Sequence, residues 1–205
     1  MRIMQRSITR MSITRMSITA AAAVALCLTA APAHATTNPA TTEATGNFTF
    51  TTSPGIMPTW SSAGISIVGI SPGSVITTTA GLNARITLPI VAKTGTANAT
   101  AGGFRLLNAS TGQTVRCQVP TVDTRARLVD CVFADGTSRT MFVITEIADR
   151  FKVTDSTSIT TFFRGMDLSF VDSTSAASLN TALSTNVFSA SVTVARGFLE
   201  VNRSR

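Results

Sequence analysis

The chain has 205 residues, with 17 Lys and Arg against ten Asp and Glu, one His, one Trp and no Tyr. That length is enough for one domain with a real core. The single histidine, His34, lies in a segment read below as a leader, so the remainder lacks the usual nucleophile–His arrangements, the commonest metal ligand and any phenolate base.

Residues 1–35 have the layout of a secretory signal peptide. Arg2, Arg6, Arg10 and Arg15 precede an uncharged apolar run from Ala20 to Ala31, followed by Ala33-His34-Ala35. The run is roughly a dozen residues, against about 20 for a spanning helix, so cleavage after Ala35 is predicted rather than a membrane anchor. Met1, Met4, Met11 and Met16 each offer a start for this leader. Four of the 17 cations and none of the acids precede residue 36, leaving 13 bases against ten acids, a net charge of +3. Those bases are spread singly from Arg85 to Arg205, which argues against nucleic acid as a partner. No later run reaches spanning length, so no membrane span is expected in the mature chain.

Residues 36–45, TTNPATTEAT, have no apolar face and are expected to form a loose arm. Residues 46–205 read as a single β-rich domain. Thr and Ser supply 31 and 18 of the 170 residues after position 35, and Thr suits a pleated surface better than a helix. Phe48 and Phe50 alternate with polar neighbours, as do Ile86, Leu88 and Ile90, and the same period of two recurs through 114–119, 127–133, 140–147, 158–163, 167–171 and 191–194. Turn residues punctuate these runs at Ser71-Pro72-Gly73, Gly95, Gly102-Gly103, Gly112, Gly136 and Gly165. Pro89 inside a strand pattern predicts an edge or a bulge there. One helix is expected, at 175–183, where Ala176, Leu179 and Leu183 follow helical spacing. The predicted fold is all-β, an antiparallel sandwich or open barrel with one short helix or turn near the C-terminus.

Cys117 and Cys131 are the only cysteines beyond the leader. Thirteen residues between them fit neither a zinc pair nor a redox pair, and export favours a disulfide; two buried free thiols are the alternative. In phase terms Cys117 shares a face with Val115 and Val119, and Cys131 with Val129 and Phe133, so both thiols point inward.

Catalysis without His or Tyr would fall to carboxylate pairs: Asp123 with Asp130, Asp135, Glu146 with Asp149, or Asp167 with Asp172. Asp123 and Asp130 are interleaved with Arg125 and Arg127, as in a solvated charged loop, and Asp135-Gly136 reads as a turn. No Asp-rich loop with alternate ligands suggests calcium. Trp60, in SPGIMPTWSS, is either an exposed stacking residue or a half-buried cap on one end of the domain. Arg164-Gly165-Met166 reads as a turn between strands. Asn47, Asn98, Asn108 and Asn202 head N-x-S/T triplets, which arise often by chance in so hydroxyl-rich a chain.

Leu88-Pro89-Ile90, Gly102-Gly103 before a strand, Pro120-Thr121-Val122-Asp123-Thr124, and Leu179-Asn180 followed by Phe188 together resemble the HtaA-type domains of secreted actinobacterial proteins, over roughly residues 46–194. The resemblance implies an extracellular β-rich binding domain and, for some members, haem capture through Tyr and His. This chain keeps neither beyond its leader, and Met57, Met141 and Met166 are poor substitutes. No cofactor is therefore expected.

The function expected from the sequence is that of a secreted, non-catalytic β-domain acting on an extracellular ligand or protein. Its candidate contacts are Trp60, Asp123, Arg125 and Arg127. The competing expectations are a glycoside hydrolase-like enzyme using paired carboxylates and an oligomeric pore- or ring-forming subunit.

Overall fold

A computed structural model describes residues 40–78 and 80–205. The predicted leader lies outside these residues, as does the start of the predicted arm. In chain order the elements are β1 (Thr41–Glu43), β2 (Thr45–Thr52), α1 (Ile56–Ser62), β3 (Ile65–Ile70), β4 (Ser74–Thr77), β5 (Ala84–Thr94), β6 (Ala97–Thr100) and β7 (Gly103–Asn108). They continue with β8 (Thr114–Asp123), β9 (Leu128–Val132), β10 (Ser138–Thr154), β11 (Ser158–Phe170), α2 (Ser173–Ala182) and β12 (Thr193–Ser204).

Every strand pair is antiparallel, and eight strands close into a ring in the order β5-β2-β12-β11-β10-β9-β8-β6 and back to β5. The fold is thus an antiparallel β-barrel, the second of the two architectures expected, and it is closed rather than open. Short β6 bridges β5 and β8 over only part of their length. Beyond it β5 pairs with β4, and β8 with β7, which in turn carries β3. An eight-stranded ring has an interior just wide enough to be filled by side chains or to hold one small ligand.

The two ends of this barrel differ. Toward the helices the interior is packed with Phe48, Phe50, Phe104, Phe142 and Phe170, all buried, with neighbouring rings 5.2–6.4 Å apart. This packed interior is a core and not a channel. Trp60 on α1 packs 5.2 Å from Phe188, and Ala176, Leu179 and Leu183 turn the apolar stripe of α2 inward as its spacing predicted. Asp172 caps α2, accepting from the Ser175 N–H at 2.6 Å. The loop after α2 is tied to the barrel by Asn108, whose Nδ2 donates to the Leu183 carbonyl at 2.7 Å.

Several sequence expectations change in three dimensions. Residues 41–43 are not loose, because Thr41, Thr42 and Glu43 pair with Thr94, Lys93 and Ala92 on β5. The segment around Trp60, where no helix was expected, forms α1, with Pro58 tolerated in its first turn where its missing N–H has no helical partner to lose. Gly165 does not end a strand: β11 runs through it as a bulge, with φ 58°, so that Phe163 and Met166, three residues apart, are both buried. Val119 does not share the face of Cys117. A register shift between Gln118 and Thr121 and a left-handed φ of 42° turn it outward, where it is 48% exposed.

Pro89 lies in the ring, yet the missing N–H costs no ladder bond. Its carbonyl accepts from Ala101 N–H, so its nitrogen faces the same side, where β4 has ended and β6 is only beginning. The expected irregularity follows directly, as a register shift between Ile90 and Ala92.

Candidate functional site

The end of the barrel opposite the helices is built from the last turns of β5 and β8, the start of β6, the β10–β11 hairpin and the C-terminal half of β12. Antiparallel register stacks Arg150 against Phe163 and Leu199, then Lys152 against Thr161 and Val201, with Arg203 one level beyond. On β5, Ile86, Leu88 and Ile90 line the core. The irregularity after Ile90 shifts the phase, leaving Val91 exposed and bringing Lys93 level with the buried Asn98. The effect is an interior that is apolar at depth and cationic at its rim.

A cavity of about 300 Å³ opens at this mouth, and five cations line it: Lys93, Arg125, Arg150, Lys152 and Arg203. Phe163 and Val201 form apolar wall, while Thr96, Thr124 and Thr161 add hydroxyls; no acid lines it. The chain contains only two lysines, and both are here. Among the described residues the only ion pairs are Arg139–Asp135 and Arg196–Asp167, so none of the five cations is neutralised by a carboxylate in contact. The Arg150 guanidinium instead lies 5.2 Å from the Phe163 ring centroid.

Lys93 is the most enclosed of the five. Its Nζ donates to Asn98 Oδ1 at 3.4 Å, and Asn98 is itself pinned by donating to the Thr96 and Val122 carbonyls, each at 3.1 Å. Burial, then the charges of Arg203 and Arg150, hold the Lys93 ammonium below its ordinary pKa; Asp123 opposes this and Lys152 adds to it. Asp123 is pushed up by burial. The Ala126 N–H, the Thr96 hydroxyl and the Arg125 N–H outweigh that and hold its carboxyl below the usual range, with Lys93 adding to them. The carboxylate is thus occupied in ordering the β8–β9 turn, accepting from Thr96 Oγ1 at 2.9 Å and from Arg125 N at 2.8 Å.

Of the four contacts expected from sequence, the fold brings Arg125 to this cavity and places Asp123 beside it. Arg127 is not part of it; its guanidinium donates to the Thr145 carbonyl at 3.2 Å. Trp60 is 5% exposed and belongs to the core, which corrects its reading as a surface contact: α1 folds its ring against Phe188. Lys93, Arg150, Lys152 and Arg203 were missed, because residues scattered over 110 positions carry no shared local signal. The sequence-level premise that the basic residues are dispersed is therefore corrected.

The carboxylate pairs find structural occupations. Asp135 holds the β9–β10 turn and pairs with Arg139, Asp167 pairs with Arg196 at 2.8 Å, Asp172 caps α2, and Asp130 accepts from the Thr140 hydroxyl. Glu146 and Asp149 are exposed on β10. Among the described residues no cluster of three His, Cys, Asp or Glu could hold a metal ion. Of the N-x-S/T asparagines, Asn98 and Asn108 are buried with their amides used internally.

The two sulfurs are joined: Cys117 on β8 and Cys131 on β9 form a disulfide with a Cα–Cα distance of 4.9 Å, buried beside Met141. On the outer wall Phe151, Phe162 and Phe198 stack across three strands, with the Arg164 guanidinium 4.6 Å from the Phe151 centroid.

Among solved structures the chain is similar to the haem-binding protein HtaB from Corynebacterium glutamicum, at 12% identity and a TM-score of 0.43, over 81% of this chain and 96% of that one. No family model matches the chain, and no curated protein does. A likeness at this level transfers neither ligand nor residues.

Proposed function

We propose that this chain is a secreted, non-catalytic binding domain whose ligand is a small anion, phosphate- or carboxylate-bearing, held in the basic mouth of the barrel. The observation that carries the reading is the convergence of five cations without carboxylate partners on one cavity with no acidic lining. Guanidinium groups stay charged at any physiological pH, so a bound anion relieves their mutual repulsion. A concave, low-dielectric wall such as Phe163 and Val201 strengthens that attraction. Secretion rests on the leader-like residues 1–35 and on the disulfide, which suits an oxidising compartment. Among the described residues no helix is long and apolar enough to cross a membrane.

Haem fits the residues poorly. Its usual protein ligands, His and Tyr, are absent from the described residues, and Met57, Met141 and Met166 are 4%, 3% and 0% exposed, committed to the core. A hydrolytic reading is not favoured either, since no acid lines the cavity.

The test is thermal unfolding with inorganic phosphate, citrate and haemin, against sodium chloride at matched ionic strength. Phosphate or citrate should raise the midpoint progressively, approaching about 2.7 kcal/mol of stabilisation at 100 times the dissociation constant. The double variant R150Q/R203Q should lose most of that response. An equal response to chloride, or an undiminished response in the variant, overturns the reading.

A further inference from the structure

The anion-binding reading gives one group in the mouth, Lys93, no role beyond its charge. Arginine is the better residue for holding a phosphate or carboxylate, being always charged and able to donate two parallel hydrogen bonds, and Arg125, Arg150 and Arg203 are already present. Lys93 is not free to reach out. It is half-buried, its Nζ held at 3.4 Å from the amide oxygen of an asparagine that is fully buried. A primary amine in such a position differs from an arginine in one chemical respect: it can lose its proton and act as a nucleophile.

We propose that Lys93 is a carbonyl-reactive amine, and that a small anionic aldehyde held by the arginines of the mouth condenses with its Nζ to form an imine. The proposal rests on the anion-binding reading. In the step, the neutral Nζ donates its lone pair to the carbonyl carbon, and the carbonyl oxygen takes up a proton to give a carbinolamine. Loss of the second nitrogen proton with the hydroxyl then releases water and leaves the C=N bond. Nothing is oxidised or reduced, and no co-reactant is consumed.

The surroundings favour each part of this. The neutral amine must be accessible near neutral pH, and the groups facing Lys93 are the cations Arg203, Arg150, Lys152 and Arg125, with Asp123 as the one opposing charge. Burial and the cations destabilise the ammonium, as they do for lysines that act through Schiff bases. The Asn98 amide oxygen positions the nitrogen without protonating it. The apolar surfaces of Phe163 and Val201 can lie against the body of the aldehyde while its anionic group meets the guanidinium groups. Lys152, the other lysine of the same mouth, is exposed on β10, so the two amines differ in enclosure and can be compared directly.

The chain is suited to a direct test, because its only side-chain amines are Lys93 and Lys152. The secreted, disulfide-bonded protein is incubated with pyridoxal 5′-phosphate at neutral pH, reduced with borohydride, and mapped by peptide mass spectrometry. Pyridoxal without its phosphate, competition by inorganic phosphate, and the K93R variant complete the set. Labelling at Lys93 should exceed that at Lys152, because burial and the neighbouring cations favour its free amine. It should fall when the aldehyde lacks its phosphate or when inorganic phosphate competes, and it should vanish at position 93 in K93R. Equal labelling of the two lysines, or labelling indifferent to the phosphate, overturns the proposal, and this wild-type comparison stands even if K93R fails to fold. Phosphate-induced thermal stabilisation is measured on the same unreduced protein. Stabilisation without Lys93 labelling sinks the imine alone, whereas absence of both sinks the anion reading with it.

Discussion

Removing the Cys117–Cys131 link should destabilise the barrel mainly through its unfolded chain. The bridge spans a sequence separation of 14 and joins neighbouring strands that the hairpin already pairs, so it adds little order to the folded state. What it removes is freedom in the unfolded state, worth about 3 kcal/mol for a loop of about 15 residues on the chain-entropy account. At about 2 kcal/mol/M for urea this lowers the midpoint by about 1.5 M. In heat it lowers Tm by about 6–12 °C, taking about 2–4 °C per kcal/mol for a domain of this size. Both sulfurs are buried, 1% and 0% exposed, so alanine also removes packing against Met141. Wild-type protein unfolded under reductant keeps those atoms and isolates the link. Because the bridge acts as one unit, C117A, C131A and the double variant should lose similar stability. Urea denaturation followed by circular dichroism provides the measurement. Additive losses in the single variants, or reduced wild type within about 1 kcal/mol of oxidised, would refute the reasoning.

Trp60→Ala should cost about 3–5 kcal/mol, since the ring fills core space between α1 and Phe188, and the wild-type emission should be blue-shifted and resist acrylamide quenching; a red-shifted, readily quenched tryptophan would contradict its burial. At the β10–β11 hairpin tip, Asp155 accepts from the N–H and hydroxyl groups of Thr157 and Ser158. These bonds bring its pKa down to about 2. With the folded value below the unfolded one, its contribution to stability is complete above about pH 4 and is lost as pH falls through about 2. A carboxyl carbon titration by NMR should show this midpoint, and a value near 4 would mean that the turn does not form as described.

Much of the architecture was open to inspection before any coordinates. Alternation in Phe48–Phe50 and Ile86–Ile90, the abundance of threonine and the helical spacing of Ala176, Leu179 and Leu183 are local signals. Each reflects which face of one element is buried. The cysteine pairing was legible for a related reason, since two inward-facing positions on adjacent strands leave the sulfurs little else to meet. Local patterns failed where backbone irregularities reset the phase, as at Val119 and Gly165. They failed also at Trp60, where a proline-rich stretch became a helix because its aromatic ring had a core to enter.

The sequence by itself determined the class of fold, the brace between β8 and β9, and the absence of histidine and tyrosine chemistry beyond residue 35. Only the tertiary structure decided that the ring closes, that its helical end is plugged, and that Lys93, Arg125, Arg150, Lys152 and Arg203 share one mouth. Burial periodicity is written along a strand, one residue after another, whereas a charge cluster is assembled across strands by register. Three register shifts, after Ile90, near Gly165 and before Thr121, adjust which side chains turn into the barrel, and no count of residues along the chain contains them.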